Sequence, residues 1–421
     1  MLKYIMCKSV LIGFGFFSLL TFGHAYGTTY YTALTGNNSN SCAQATSQST
    51  PKRTIAAGID CLSAGDTLYI RGGTYNESLT SWRSGTSAAR VTVAGYPGET
   101  AIIRASGPGT GGAMLDFTNV HYVHLKNLTI DAVDWAYDLT NGGSTNAIKI
   151  QDNSDHIRIE DSTIKNARGL TNPSATKGII TGGIGFNEFL NLDIFNNLGY
   201  GIYISGTNNV IDGCKFHDNN RYGIHMYNDG GGVNDNIIRN TRVYNNGDNS
   251  AGCWGGCIHP GMVVNSGSNN LIYNNLIYNN AGGGFQVAGD NTKVYNNTAY
   301  GNGSGAAGFD IQAHGADVRN NISLGNSSGQ IVNGGSGNTI SSNTTTGSPT
   351  SIFVNPGAAD FHLQSGSPAI KAGVDLSSVF TMDFAGAKRP AGNFDVGAYA
   401  FGGSDGGGLP APSNLRLIRT P

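Results

Sequence analysis

The sequence predicts an all-β chain wound as a parallel β-helix, and three observations predict it. The first is a repeat between residues 91 and 345: VIDGCKFHDNNRYGIHM at 210–226, LIYNNLIYNNAGGGFQV at 271–287 and VYNNTAYGNGSGAAGFDI at 294–311 share one order of parts. Each has a short apolar strand, an Asn or Gly turn, a second short strand, an Asn-Gly turn, and then Gly-apolar-X-apolar. The second is the period. The last element aligns Ile148, Ile179, Ile202, Ile224, Ile258, Phe285, Phe309 and Ile331 with steps of 31, 23, 22, 34, 27, 24 and 22. The base repeat is therefore about 22 residues, with loops inserted in some turns. Short strands at that period, without a helical pattern, stack coil on coil about 4.8 Å apart. A leucine-rich solenoid is excluded by the missing Leu ladder, and a propeller needs longer units. The third is composition. The 421 residues include 63 Gly and 46 Asn but only 12% charged residues, which suits a chain dense in turns.

Taken in order, residues 1–25 read as a signal peptide. Lys3 and Lys8 precede an apolar run from Val10 to Phe22, and Gly23-His24-Ala25 supplies small residues for cleavage after Ala25. The run is short for a membrane span, and no other segment is apolar enough for one. Export to the extracellular space or periplasm is the expectation. Residues 26–90 form an N-terminal cap and first coil, with a short amphipathic helix over Thr54 to Leu62 that covers the otherwise open first coil. In an export context Cys42 and Cys61 pair, Cys253 and Cys257 of CWGGC pair across a tight loop or stay reduced, and Cys214 is a buried free thiol. Residues 91–401 carry the β-helix and its closing segment. Residues 402–421 are a Gly-rich linker and a tail. Asn127, Asp161, Asn240, Asn274, Asn296 and Asn320 align at one turn, where Asn tolerates left-handed backbone and stacks rung to rung.

Several of these segments resemble a known group. YYTALTGNNSNSCAQATSQSTPKRTIAAGIDCLSAGDTLYIRGGTYNESL at 30–79, and within it GDTLYIRGGTY, resemble the start of secreted right-handed β-helix proteins, as does VTVAGYPGET at 91–100. DFHLQSGSPAIKAG at 360–373 and RPAGNFDVGAYAF at 389–401 resemble the C-terminal segment of exported bacterial members. That group includes polysaccharide lyases, epimerases, hydrolases and proteins without known activity. The resemblance implies the right-handed fold over residues 30–401 and leaves the chemistry to the residues.

Strand alternation turns the residue after each inward apolar position outward. The outward column is Lys149, Ile180, Tyr203, His225, His259, Gln286, Asp310 and Val332, with Tyr227 on the His225 strand. Insertions at 131–146, 167–177 and 246–256 precede this strand, and those at 228–235 and 260–268 follow it. Loops on both margins of a flat sheet make a groove. His225, His259 and Tyr227 are the catalytic candidates, as base and acid. Tyr203, Arg221, Lys149, Gln286, Trp254 and Asp310 are the substrate-binding candidates, with Arg221 the favoured partner of a carboxylate. His217, Arg239 and Arg242 belong to other faces.

A base with a nearby cation suits removal of the C5 proton of a uronic acid. The expectation is a lyase or epimerase acting on an acidic polysaccharide as a monomer. The alternatives are a non-catalytic glycan-binding or adhesion protein and a glycoside hydrolase, which needs two carboxyl groups across the bond. The formal charge of −2 lacks the basic footprint of a nucleic-acid binder. No cofactor is specified. Asp229 with Asp235 leaves a single weak Ca²⁺ site open.

Overall fold

The structure, a computed structural model, describes residues 27–105, 107, 112–135, 145–168, 176–229, 232–247 and 258–403. Among the described residues, thirty-one strands of three to seven residues stack into three parallel sheets of 12, 10 and 9 strands. The chain visits the first, second and third sheet in turn. Each strand then pairs with its equivalent one coil later, as Ile202 does with Ile224 and Ile211 with Ile238. The observed architecture is the parallel β-helix expected from the repeat.

Sharp corners between the first and second sheets come from residues with positive φ. Asn127, Asp161, Asn240, Asn274, Asn296 and Asn320 all have φ between 48° and 59°. Asn and Asp accept this geometry at less cost than other side chains. The residue after the corner has a different task. Asn275 donates from Nδ2 to Asn297 Oδ1 at 2.9 Å, Asn297 to Asn321 at 3.0 Å, and Asn321 to Asn343 at 3.0 Å. Parallel ladders run through Asn187, Asn209, Asn236 and Asn270, and through Asn197, Asn219, Asn246, Asn280, Asn302 and Asn326. These amides satisfy buried corners that the strands leave without partners.

The core is a set of apolar columns. In the third sheet Leu115, Ile148, Ile179, Ile202, Ile224, Met262, Phe285 and Phe309 stack inward and are fully buried, and the column ends at Ile331, which is partly buried on the last rung. Each such side chain is worth about 1.5–3 kcal/mol on burial. This corrects one member of the expected column. Ile258 is 46% exposed and Met262 takes its place opposite Ile224. The reason is Pro260, which has no N–H to give a central strand, so pairing resumes only at Met262.

The cap matches expectation. Ile55–Ile59 is a short helix whose first turn is capped by Thr54, which accepts from the Ala57 N–H at 3.2 Å. A Cys42–Cys61 disulfide ties it to the N-terminal turn, and Cys214 is a buried free thiol. Burial pushes that thiol up to about 12. The closing segment folds back along the outside of the helix. Asn274, Asn296 and Asn320 donate to carbonyls of Met382, Asp395, Gly397 and Val374, and the buried Arg389 donates to Asn274 Oδ1 at 2.8 Å. Phe361 packs on Tyr278 and Tyr300 of the second sheet. No helix among the described residues is long and apolar enough to cross a membrane. The signal peptide expected at 1–25 and residues 404–421 of the expected tail lie outside the described residues.

Candidate functional site

The outward column of the third sheet reads Asp116, Lys149, Ile180, Tyr203, His225, Val263, Gln286, Asp310 and Val332. The expectation for Tyr203 and His225 on adjacent rungs is met. That for His259 is not: Val263 pairs with His225, and His259 lies three residues before the strand. Two positions of the column are closed. Ile180 is 8% exposed and Val263 only 2%. Between them Tyr203 and His225 are partly open, and this accessible stretch two rungs wide, with the side chains around it, is called the pit below.

His259 reaches this pit from its leading margin. Its Nε2 accepts from Arg221 Nε at 3.1 Å, and its ring lies 4.5 Å from that of Tyr222. The backbone holds it there. Gly282 donates its N–H to the His259 carbonyl at 3.1 Å, and a Cβ on Gly282 would come within 2.4 Å of the His259 backbone. Thus His259 does not share a column with His225 but converges on the same site through Arg221.

The sequence reading missed Lys177, Tyr200 and Tyr222. These three precede the Gly-apolar-X-apolar element, and strict alternation would turn them inward. The glycines break that alternation. A Cβ on Gly178, Gly201 or Gly223 would meet the buried amide of Asn197, Asn219 or Asn246 at 2.9–3.0 Å. Glycine therefore occupies the corner itself, and the residue before it faces out. The repeated Tyr-Gly-Ile at 200–202 and 222–224 carried that signal.

Four tyrosines enclose His225. Its ring stacks on Tyr222 at 4.8 Å and Tyr200 at 5.2 Å, meets Tyr203 edge-on at 4.8 Å, and lies 5.9 Å from Tyr227. Tyr227 is 40% exposed at the trailing margin. His225 Nδ1 is buried without a hydrogen-bond partner, which leaves Nε2 as the nitrogen able to meet a ligand. Lys177 Nζ lies 5.8 and 5.7 Å from the rings of Tyr200 and Tyr203, and the Arg221 guanidinium is 5.0 Å from Tyr200.

The electrostatics are lopsided. Neither Lys177 nor Arg221 forms an ion pair among the described residues. Burial lowers Lys177 to about 8; Asp229 pulls it up and Arg221 pushes it down. Burial, then Arg221, His259 and Lys177, lower His225 to about 3. Burial and Arg221 lower His259 to about 4. Both imidazoles are neutral near pH 7. Burial raises the phenols of Tyr200, Tyr203 and Tyr222, which stay protonated.

The remaining candidates fall elsewhere. Lys149 pairs with Asp116 at 3.3 Å beyond closed Ile180. Gln286 and Asp310 lie beyond closed Val263, where Asp310 accepts from Gln312 at 2.5 Å and from Gln286 at 3.5 Å. Asp229 faces Lys177 and Tyr203, whereas Asp235 sits at a turn whose N–H binds Ser268. The described residues hold no cluster of three or more metal-ligating side chains, and the Asp229 and Asp235 backbones point to separate tasks. Cys253, Trp254 and Cys257 lie outside the described residues. Arg239 bonds to Asp212 at 2.8 Å, Arg242 lies over Phe384, and His217 sits between Asp193 and Asp218, all off this face as expected. Two grooves of about 370 and 410 Å³ occur at corners, and neither is lined by Lys177, Arg221, His225 or His259.

A family model described as "Right handed beta helix region" matches residues 127–261 and 177–345. Among solved structures, the chain is similar to pectate lyase Pel9A, with a TM-score of 0.64, 18% identity, and coverage of 89% of this chain and 96% of that one. It is also similar to XylC, solved in complex with xylose, with a TM-score of 0.53, 11% identity, and coverage of 88% and 98%. At these identities the likeness is one of fold. No curated protein sequence matches the chain.

Proposed function

Because the chain belongs to the right-handed β-helix family, a fold that hosts many chemistries, we propose its function from the pit: an exported enzyme that acts on a uronate-containing polysaccharide by removing the C5 proton, as a lyase or epimerase. One observation carries this reading. Two cationic side chains without ion-pair partners among the described residues, Lys177 and Arg221, flank a neutral His225 enclosed by tyrosines. Taking cations out of water is costly unless an anion joins them. A uronate carboxylate is such an anion, and its neutralisation is what makes the C5 proton removable.

Each residue then has a role. Arg221 and Lys177 hold the carboxylate, and His259 positions Arg221 through its Nε2. Burial is the main cause that depresses His225, and a bound carboxylate offsets the smaller part that comes from Arg221 and Lys177, which makes the imidazole a stronger base when substrate arrives. His225 Nε2 takes the C5 proton. In a lyase the C5–H electron pair becomes the C4–C5 double bond, the C4–O bond breaks, and the phenol of Tyr227 gives its proton to the leaving oxygen. In an epimerase His225 keeps the proton it took, the phenol of Tyr227 delivers another to C5 from the opposite face, and no bond to the glycosidic oxygen breaks. Asp229 is the sole carboxylate seen to act on this cluster, so the paired carboxyl groups of a glycoside hydrolase are not assembled here among the described residues.

The test is the purified protein on a panel of acidic polysaccharides, followed by absorbance of the unsaturated product and by NMR for epimerised units. His225→Ala and Arg221→Met are expected to lose about 10²- to 10⁴-fold in rate, while His217→Ala retains activity. Equal activity in all variants would remove His225 and Arg221 from the chemistry. Glycan binding without turnover would establish the binding-protein alternative.

A further inference from the structure

The first coils carry a cleft that the pit does not use. Between the first and second sheets the chain usually turns through one or two residues, as at Asn127 and at Asp161 with Ser162. One coil before Asn127 the same corner takes five residues, Tyr96 to Thr100, between Val91–Gly95 and Ala101–Arg104. The long corner and the two tight ones after it enclose the cleft of about 370 Å³. Small-ligand sites span about 300–1,000 Å³. The long corner is braced from behind. Arg71 donates to Glu99 from Nε at 2.9 Å and from Nη2 at 2.5 Å, and Glu99 also accepts from the Gly72 N–H at 2.6 Å. The same guanidinium lies 4.6 Å from the centre of the Tyr96 ring, and Gln48 donates to the Tyr96 hydroxyl at 3.2 Å. At Gly98 a Cβ would meet no atom within 4 Å, so the rim is open there.

The lining says what such a cleft would take. Its two carboxylates are engaged: Glu99 by Arg71, and Asp161 by Lys126 at 3.3 Å and by the Asn191 amide at 2.7 Å. No Lys or Arg lines it. A cation therefore finds no spare charge, and neither does an anion. The groups left open are uncharged. The Asn127 amide and the hydroxyls of Thr129 and Thr163, which face each other on adjacent rungs, have no side-chain hydrogen-bond partner among the described residues. We propose that this cleft is a second, non-catalytic glycan site that binds an uncharged sugar unit. The sugar hydroxyls bond to Asn127, Thr129 and Thr163, and its C–H face lies against Tyr96 and Pro97. The cleft shares no residue with the pit and lies at a different corner, so it can hold the protein on a polysaccharide while the pit stays free. This inference does not rest on the uronate reading, since a binding protein could use the same site.

The experiment is affinity electrophoresis of the wild-type protein in gels containing soluble arabinoxylan, galactan, glucomannan or mixed-linkage β-glucan, with calorimetry on oligosaccharides of the polymer that retards it. At least one neutral polymer should retard the protein. Tyr96→Ala and Thr129→Trp should each weaken that binding by about tenfold or more, the usual effect of losing a central contact. Thr129→Trp fills the cleft from its floor and leaves the Arg71–Glu99 pair in place, so it decides the case if Tyr96→Ala disturbs the corner; circular dichroism checks the fold of both. Arg221→Met should bind the neutral polymer as the wild type does. Failure of every neutral polymer to retard the wild type overturns the inference. So does unchanged binding in a folded Thr129→Trp protein, and so does loss of binding in Arg221→Met, which would place the sugar in the pit. Turnover of acidic polymers, measured separately, judges the pit alone.

Discussion

Asn246→Ala is expected to be among the most damaging single changes in the helix, although Asn246 touches no apolar neighbour of note and lies outside the pit. Its amide is fully buried. Nδ2 donates to Asn280 Oδ1 at 3.0 Å, to Phe216 O at 2.9 Å and to Tyr244 O at 3.0 Å. Oδ1 accepts from the Asn219 backbone N–H at 3.2 Å and from Asn219 Nδ2 at 3.0 Å. Truncation leaves three groups short of a partner, the Asn219 N–H, one proton of Asn219 Nδ2 and the Tyr244 carbonyl, and takes one of two partners from the Phe216 carbonyl, which keeps its place in the strand ladder. An unsatisfied buried group costs about 1–3 kcal/mol. Asn219 Nδ2 keeps its bond to Ile194 O, and Asn280 Oδ1 keeps the Asn246 N–H. The expected loss is therefore about 4–6 kcal/mol, a large part of the roughly 5–15 kcal/mol that holds a domain together. The comparison is Asn279→Gly. Asn279 is exposed at φ 53°, and glycine keeps that backbone, so the loss should stay within about 0.5 kcal/mol. Urea unfolding followed by circular dichroism measures both. A loss below about 1 kcal/mol in Asn246→Ala, or an equal loss in Asn279→Gly, would refute the assignment of ladder and corner roles.

Three further outcomes follow from the charges and glycines. His225 and His259 titrate near 6.5 when unfolded but at about 3 and about 4 when folded, so the unfolded chain binds more protons below pH 6.5. Stability should fall as pH drops from about 6.5 toward 4, and His225→Phe should reduce that slope in urea midpoints. His217 behaves oppositely: burial opposes its charge, but bonds to Asp193 at 2.9 Å and Asp218 at 2.6 Å outweigh it and raise its pKa. Its contribution is full below about pH 6.5 and is lost as pH rises through the raised value, so His217→Phe should flatten the alkaline limb of the same curve. Gly282→Ala forces a Cβ onto the His259 backbone and should move Arg221 with it. The expected result is a rise in KM for a uronate polymer with little change in kcat, and an unchanged KM would show that His259 does not position Arg221.

Much of the fold was legible because a solenoid repeats its reasons. One apolar column, Ile202 to Ile224 to Phe285 to Phe309, is visible at a period near 22 residues and fixes the pairing of all the rungs between. The Asn residues were placed at the right corner and one residue short of the hydrogen-bonded ladder. Asn274, Asn296 and Asn320 do adopt the left-handed turn, and Asn320 donates to Asn296 Oδ1 at 3.2 Å as expected, but the continuous buried amide chain runs through Asn275, Asn297 and Asn321. An Asn-Asn pair does not say which member is buried. The strand that follows decides it, because the second Asn must turn inward for the next apolar side chain to do so.

The site was less legible, for a related reason. Column reasoning finds residues that obey the repeat, and His225 with Tyr203 obeys it. His259 lies where the repeat is interrupted. In GCIHPGMVV, Ile258 follows Cys257 and not Gly, Met262 completes Gly-Met-Val-Val, and both the missing glycine and Pro260 favour the second position. Choosing the first put His259 in the column for a wrong reason, yet the backbone carries it back to the pit through Gly282 and Arg221. Lys177 was hidden differently. It lies in a strand whose six residues are all buried, and such a strand reads as core. A lysine there, opposite Tyr200 and two coils from Arg221, is a cation kept largely out of water with no ion-pair partner among the described residues. Buried Arg389 is likewise without an ion pair among the described residues, but it donates to Asn274 Oδ1 and to backbone carbonyls of the closing segment, a structural return that no hydrogen bond of Lys177 among the described residues provides, and that contrast is the reason to look for function at Lys177.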